Sequence, residues 1–319
     1  MSSGSELSEC VCSVGANPLV VLAQYLTNRI ISMLPMTVRP DMSGLAILLA
    51  VAGVFATPAA LGQALPEVTL TRLDCGNDRA PQDVSTFSDT YAYADLKMKL
   101  TYSCYLVRHG SQYLIWDTGN SLSDKDAGPK TSLVEQLRQL KLRPQQVGYV
   151  GISHYHDDHT GQLSDFASST LLIGKGDWDA LTSPHAPPGL DAKAAAAWRA
   201  PFTHWISGGG KVEALTEDKT DVFADGTVVL LSTPGHTPGH HSLLVRLKKM
   251  GNVLLSGDLT HFRENYDNNQ VPSWNTSRTD TLASLDRFKQ IARNLHASVI
   301  IQHDARDIDK LPRFPEAAD

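Results

Sequence analysis

The chain is poor in cysteine and has no excess of positive charge over its 319 residues. Four cysteines are too few for a disulfide scaffold, and their spacing matches no zinc-ribbon pattern. The 28 Lys and Arg residues against 34 Asp and Glu residues give a net charge of −6, which argues against a nucleic-acid-binding protein. Hydrophobic residues make up 42% of the chain, a globular composition that excludes a disordered, collagen-like or coiled-coil protein.

Residues 1–64 have the features of a secretory signal rather than of a folded domain. Arg39 precedes an apolar run at residues 45–55, and small residues follow as far as Ala64, which is the order of a signal peptide and its cleavage site. The run is too short and too rich in glycine and alanine to span a bilayer. We therefore expect a mature domain of residues 65–319 that is periplasmic or secreted. The alternatives are an N-terminal membrane anchor or a buried helix of the fold.

Two of the four cysteines, Cys75 and Cys104, lie in the predicted mature domain. A compartment outside the cytoplasm permits a disulfide bond between them. Two ordinary buried thiols explain the sequence equally well, so both interpretations stay open at this point.

The predicted mature domain alternates strand patterns with helical patterns. Ser132 and Glu135 form a capping box before one predicted helix, and Asp280 is expected to cap a second, longer helix. Residues 192–205 predict a helix on a long connection, which would form a lid or a wall of the substrate site. Strands are predicted at residues 68–73, 101–108, 112–116, 149–153, 171–173, 227–231, 242–247, 253–255 and 299–302. This order indicates a single α/β domain in which layers of helices cover mixed sheets.

The run HYHDDH at residues 154–159 places four potential metal ligands directly after a predicted strand. Because side chains two residues apart in a strand share a face, His154 and His156 can bind one metal ion. The turn that follows can direct Asp158 and His159 toward a second ion. Imidazole and carboxylate ligands favour zinc, with other divalent transition metals as alternatives. A histidine-rich surface loop without any metal is the simpler interpretation of this run taken alone.

Three further candidate ligands each follow a predicted strand: His236, Asp258 and His303. Taken singly, each is explained by an ordinary role, such as a capping aspartate or a buried core histidine. Strand ends are where a rigid sheet holds the loops that carry chemistry, so the joint pattern predicts a site for two metal ions.

This combination of motifs resembles the metallo-β-lactamase-fold hydrolase superfamily. The similarity runs from about Leu70 to the C-terminus and includes Asp117 in the Asp-Thr-Gly turn at residues 117–119. The resemblance implies a four-layer αββα sandwich with the metal site at one edge of two sheets. It also implies that the first zinc ion is held by His154, His156 and His236. The second would be held by Asp158, His159 and His303, with Asp258 as the bridging ligand.

Within the superfamily, the sequence is most similar to the N-acyl-homoserine lactonases. The features that carry this similarity are YLVRHG at residues 105–110, HTPGHHS at residues 236–242, and SGD at residues 256–258. The implied substrate is a small-molecule lactone or ester, and a homodimer is a further expectation by analogy with relatives. The alternatives are an arylesterase or organophosphate hydrolase with two zinc ions, a weak β-lactamase, or a metal-binding module without catalytic activity.

The expected reaction is attack on the lactone carbonyl by a hydroxide that bridges the two metal ions. Asp158 would carry a proton to the leaving oxygen. Several lactonases of this family have a tyrosine three residues after the bridging aspartate, and here that position is His261. A neutral imidazole can donate a hydrogen bond to the developing oxyanion, as a phenol does, so we predict a catalytic role for His261. The simpler alternative is a polar residue on the rim of the pocket.

Two weaker predictions concern the surroundings of the site. His240 is expected to form a hydrogen bond inward, toward the ligands. Four residues after Asp258 were candidates either for an acyl-chain pocket or for packing of their own loop: Phe262, Tyr266, Val271 and Trp274.

Overall fold

The computed structural model describes residues 66–186 and 191–319. The predicted signal peptide therefore lies outside the described residues. Among the residues that are described, no helix combines the length and the apolar character needed to cross a membrane.

Two large β-sheets form the centre of the domain. The six-stranded sheet has the order β1-β4-β5-β6-β7-β8, where β1 is Val68–Asn77, β4 is Thr101–His109, β5 is Gln112–Trp116, β6 is Tyr149–Gly151, β7 is Thr170–Gly174 and β8 is Val212–Leu215. The five-stranded sheet has the order β13-β12-β11-β10-β9, where β9 is Lys219–Asp221, β10 is Val228–Ser232, β11 is His241–Leu247, β12 is Gly251–Leu255 and β13 is Ser298–Ile300. A small hairpin pairs β2, Gln82–Asp83, with β3, Lys97–Met98.

Seven α-helices accompany the sheets in the described residues. They are α1 (Leu133–Gln139), α2 (Asp157–Thr160), α3 (Lys175–Thr182), α4 (Ala192–Arg199), α5 (Thr203–Ile206), α6 (Arg263–Asn268) and α7 (Arg278–Asn294).

Three separate apolar cores demonstrate the layered order. One core packs helical residues such as Leu137 against the outer face of the six-stranded sheet. The second lies between the two sheets and includes Trp116 and Leu243. The third packs Phe288 of α7 against the outer face of the five-stranded sheet, including Leu244. Adjacent residues of β11 thus enter opposite cores, as side chains of a strand must, and the predicted four-layer αββα sandwich is confirmed.

Several local predictions need correction. The N-cap of α7 is Ser277, whose hydroxyl accepts a hydrogen bond from the backbone N–H of Asp280 at 3.2 Å, so Asp280 lies in the first turn and is not the cap. The predicted helix at 192–205 is divided into α4 and α5 by a 3₁₀ turn that contains Pro201. The strand predicted at 149–153 ends at Gly151, so Ile152 and Ser153 lie in the connection that leads to His154.

The open question of the two cysteines is resolved in favour of a disulfide bond. Cys75 of β1 and Cys104 of β4 are bonded, with their Cα atoms 5.8 Å apart. Both residues are fully buried in the core beneath the six-stranded sheet.

Candidate metal centre

The seven predicted ligands converge at one edge of the two sheets. β12 and β13 are parallel, so their carboxyl ends lie at the same edge and direct Asp258 and His303 there. The end of β6 reaches this edge from the other sheet, because the backbone N–H of His241 donates to the carbonyl of Ser153 at 2.8 Å. The candidate ligand atoms form two groups, each with its atoms within 4.8 Å of one another. The first group is His154, His156, His236 and Asp258, and the second group is Asp158, His159, Asp258 and His303.

Three ring nitrogens of the first group all lie within hydrogen-bonding distance of one another, and hydrogen bonds alone do not explain this arrangement. His154 Nε2 lies 2.8 Å from His156 Nδ1, and His236 Nε2 lies 3.0 Å from each of them. Each neutral ring nitrogen either carries a hydrogen or is bare. Among three mutually touching nitrogens, at least two are therefore alike and cannot bond to each other. A shared cation satisfies all three lone pairs, so the donor set fits a divalent metal ion.

Asp258 lies between the two groups, and each of its oxygens faces a different one. Oδ1 is 2.8 Å from His303 Nε2 and 3.1 Å from His159 Nε2, both in the second group. Oδ2 is 3.5 Å from His236 Nε2 in the first group. This carboxylate is placed to be shared between two cations.

Burial determines the charge of the first group. It lowers the pKa of His154 and His236 well below the ordinary value, and it lowers that of His156 to about 4. These rings are therefore neutral at pH 7, which is the state in which imidazole binds a metal. Burial would by itself raise the pKa of Asp258, but the neighbouring His303 and His159 hold it well below the ordinary value. The first group thus presents neutral nitrogens beside an ionised carboxylate.

The second group attracts positive charge. Burial opposes protonation of His159, but the carboxylates of Asp258 and Asp158 raise its pKa well above the ordinary value. The pKa of His303 is raised as well, because Asp258 outweighs the effect of burial. The carboxylates therefore favour positive charge at this position, which a bound metal ion would supply.

The outward nitrogens of the histidines are held by hydrogen-bond acceptors, which fixes the tautomers. His303 Nδ1 donates to the carbonyl of Thr101 at 3.0 Å, and His236 Nδ1 donates to Asn275 Oδ1, also at 3.0 Å. His159 Nδ1 donates to Asp117 Oδ2 at 2.9 Å. In the neutral form of each ring these acceptors place the hydrogen on Nδ1, so that the lone pair of Nε2 faces the site.

Asp117 supports the site from below, at the position predicted for the Asp-Thr-Gly turn. Its fully buried carboxylate accepts hydrogen bonds from the backbone N–H and the hydroxyl of Ser153, at 2.7 and 2.9 Å, besides the bond from His159. It adopts a left-handed backbone conformation with φ of 57°, and Gly119 follows with φ of 62°. The sharp turn brings the carboxylate beneath the ligands.

His240 forms the predicted inward contact. Its Nδ1 donates to the carbonyl of Thr233 at 3.0 Å, and its bare Nε2 accepts the backbone N–H of Asp258 at 2.9 Å. The ring therefore fixes the backbone that carries the shared carboxylate.

A cavity of about 390 Å³ opens beside the ligands. Its walls include Phe87, Leu100, Tyr102, Trp198 and Trp274. Trp198 of α4 lies with its ring centroid 4.7 Å from that of His156, so the predicted helix on the long connection does form a wall of the site.

Of the four residues considered for an acyl-chain pocket, only Trp274 lines the cavity. Phe262 and Val271 are buried in packing, and Tyr266 lies against Phe288 in the core under α7. For these three residues the packing interpretation is the correct one.

His261 lies in the cavity wall between the ligands and the aromatic residues. Its ring is 2% exposed, it stacks on His303 at an interplanar angle of 14°, and its Nε2 is 3.2 Å from Asp258 Oδ2. Neither ring nitrogen forms a hydrogen bond of good geometry with the described residues. Burial lowers the pKa of His261, so the ring is neutral at pH 7 and retains one N–H.

Two contributors to the site had no recognisable signal in the sequence. Asn275 and Thr101 accept hydrogen bonds from ligand histidines. They lie 39 and 202 positions in sequence from the histidines they contact. Only the folded chain brings them to the site.

Comparison with known proteins agrees with the fold and the site. Residues 99–303 match the family model of the metallo-beta-lactamase superfamily, and the chain belongs to that superfamily. It is 26% identical to the N-acyl homoserine lactonase AttM of Rhizobium radiobacter, over 66% of this chain and 85% of that protein. The expectation of an enzyme of the hydrolase class is thereby confirmed.

Two solved structures show the same fold. The crystal structure of a quorum-quenching N-acyl homoserine lactone lactonase has a TM-score of 0.65 and 22% identity, covering 80% of this chain and 99% of that one. AidC, a dizinc quorum-quenching lactonase, has a TM-score of 0.60 and 19% identity, covering 80% of this chain and 90% of that one.

Proposed function

We propose that this protein opens the lactone ring of N-acyl-homoserine lactones with the help of two divalent transition-metal ions, zinc by preference. The observation that carries the proposal is the pair of ligand groups that share Asp258 beside an aromatic-walled cavity. The names of the related lactonases support the choice of substrate.

The first group would hold one ion and the second group the other, with Asp258 common to both. When bound, such ions polarise a carbonyl oxygen and lower the pKa of water to roughly 7. The chain's own residues would bind and orient the lactone and move its protons. The cavity offers apolar surface for an acyl chain on Phe87, Leu100 and Trp274.

Asp158 is the residue we propose for proton transfer. It lines the cavity, and its Oδ2 is 3.6 Å from His303 Nε2. Burial would raise the pKa of this carboxyl, but His159 holds it below the ordinary value, so Asp158 is ionised at neutral pH. An ionised carboxylate in the cavity can accept a proton from water and deliver it to the leaving alkoxide.

The proposal is tested by comparing the hydrolysis rates of four substrate classes. N-acyl-homoserine lactones of several chain lengths are measured beside an aryl ester, a phosphotriester and a cephalosporin. We expect the highest kcat/KM for at least one lactone. Inert lactones beside rapid turnover of an ester would assign the site to an esterase.

His261 is proposed to donate a hydrogen bond to the oxyanion that develops on the lactone carbonyl. Loss of such a donor costs about 2.7–4 kcal/mol of transition-state stabilisation, so His261→Ala should lower kcat about 100-fold or more. His261→Gln keeps an N–H donor and should recover part of the rate, whereas His261→Phe keeps only the ring shape and should not. Full activity of the phenylalanine variant would remove His261 from the reaction.

We also propose export of the protein and cleavage after residue 64. The disulfide between Cys75 and Cys104 supports an oxidising compartment. N-terminal sequencing of the protein recovered from the periplasm tests this, and an intact N-terminus there would contradict it. The homodimer stays a prediction, which analytical ultracentrifugation checks.

A further inference from the structure

We propose that the Cys75–Cys104 disulfide is a positioning element for the second ligand group, and that its loss weakens the binding of one metal ion selectively. The inference rests on the proposed function, because it requires two ion sites. It follows from what each half of the disulfide touches.

The Cys75 half carries the turn that supports His159. Gly119 of this turn lies directly on the disulfide: a side-chain carbon there would collide with Cys75 and come within 3.1 Å of Cys104 Sγ. The backbone N–H of Asn120 donates to the carbonyl of Cys75 at 3.2 Å, which ties the turn to β1.

The same turn forms hydrogen bonds with helix α2, which carries Asp158 and His159, and with Gly161 directly after it. The backbone N–H of Thr118 donates to the carbonyl of His159 at 2.7 Å, and the carbonyl of Gly119 accepts from the backbone N–H of Gly161 at 2.6 Å. Asp117 bonds to the imidazole of His159 itself. Displacement of the turn would therefore displace both the backbone and the ring of this ligand.

The Cys104 half lies in the strand that supports His303. Thr101 of β4 accepts the N–H of the His303 ring and donates its backbone N–H to the His303 carbonyl at 3.2 Å. Ser103, next to Cys104, accepts a hydrogen bond at 2.7 Å from the side chain of Gln302. Two hydrogen bonds between Thr101 and His303, and one between Ser103 and the neighbouring Gln302, thus hold His303 against the segment that ends at Cys104.

The disulfide consequently joins the supports of both histidines in the second group. The first group is held differently: His236 bonds to Asn275, and the hydroxyl and backbone N–H of Thr276 both donate to its carbonyl. Two connections join the supports of the two groups. His154 shares Ser153 with the Asp117 network, and the carbonyl of His156 accepts the backbone N–H of His159 at 3.1 Å. We therefore expect the disulfide to affect mainly the ion that the second group would bind.

The test measures zinc binding rather than activity. Metal-free wild-type protein and the Cys75→Ala/Cys104→Ala variant are titrated in zinc buffers, and bound zinc is counted by elemental analysis. We expect one binding step to lose about 10–100-fold in affinity, the range for loss of support to a metal ligand, and the other step to change less than about threefold.

The matched control is Leu230→Ala, which removes a fully buried side chain between the two sheets, away from the disulfide. It destabilises the fold but should leave both zinc-binding steps unchanged. If the double variant does not fold, Gly119→Ala is made in the chain with the disulfide intact. The added methyl group collides with Cys75 and displaces the turn, so the same binding step should weaken.

The outcomes separate this inference from the proposed function. Wild-type protein that binds fewer than two zinc ions defeats the proposed function. Two ions in the wild type, with both steps unchanged or equally weakened in the variant that folds, would overturn the role of the disulfide alone.

Discussion

Replacing Asp258 with alanine is expected to lower lactone hydrolysis on the order of 10³-fold or more and to reduce bound zinc below two ions per chain. Loss of an outer partner of a ligand already costs about 10–100-fold. Asp258 is a candidate ligand of both groups, so its loss should exceed that range. Without Asp258, the candidate ligands would be five imidazoles and one carboxylate, that of Asp158. Asp158 alone would then offset the positive charge of the two metal ions.

The measurement combines kcat/KM for an acyl-homoserine lactone with elemental analysis of the same sample. Asp225→Asn is the matched control, because Asp225 also pairs with a buried histidine, His109, at 2.7 Å. His109 ends β4 at the end opposite Thr101, so this pair is remote from the site. The control should retain both zinc ions and its activity. A zinc-loaded, active Asp258→Ala variant would contradict the shared carboxylate.

Asp117→Asn is expected to disable the second group while the fold remains intact. The carboxylate fixes the hydrogen of His159 on Nδ1. An amide nitrogen in its place donates to Nδ1 and moves the hydrogen to Nε2, which then points an N–H at the position of the ion. A comparable tautomer change in a catalytic triad costs about 10⁴-fold in kcat. We expect a loss of about 10²–10⁴-fold here.

Zinc titration and lactone hydrolysis measure this variant, and a thermal melt verifies that it is folded. Asp117→Ala is the useful comparison, because it leaves the Ser153 donors unpaired and should also destabilise the protein by several kcal/mol, about 3–5. Unchanged binding of the second zinc ion in Asp117→Asn would show that Asp117 does not set the tautomer of His159.

The candidate ligands were predictable because they lie in short segments that directly follow predicted strands. Strand patterns before His154, Asp258 and His303 are strongly apolar, and parallel strands such as β12 and β13 necessarily present their carboxyl ends at one edge. The same hydrophobic patterns predicted the layers, since both faces of these strands are buried.

Asn275 and Thr101 could not be predicted as supports of the ligand histidines, because their roles depend on tertiary contacts alone. Asn275 lies in an irregular connection, and nothing in its neighbours marks it as the partner of His236. The cap of α7 illustrates a local ambiguity: Ser277 and Asp280 are both good capping residues, and the chain direction before the helix decides between them. The pairing of Cys75 with Cys104 likewise depends on tertiary contacts: Cys104 lies opposite Leu73 in the ladder, and Cys75 lies in the irregularity that follows in β1.

We expect lactone hydrolysis by this protein to require a pair of metal ions. The direct test is to prepare metal-free protein and add zinc stepwise while N-hexanoyl-homoserine lactone hydrolysis is recorded. We predict negligible hydrolysis without zinc and a rate that rises until about two ions are bound per chain, then stays constant. Full hydrolysis by the metal-free protein, or none at any zinc content, would contradict the claim.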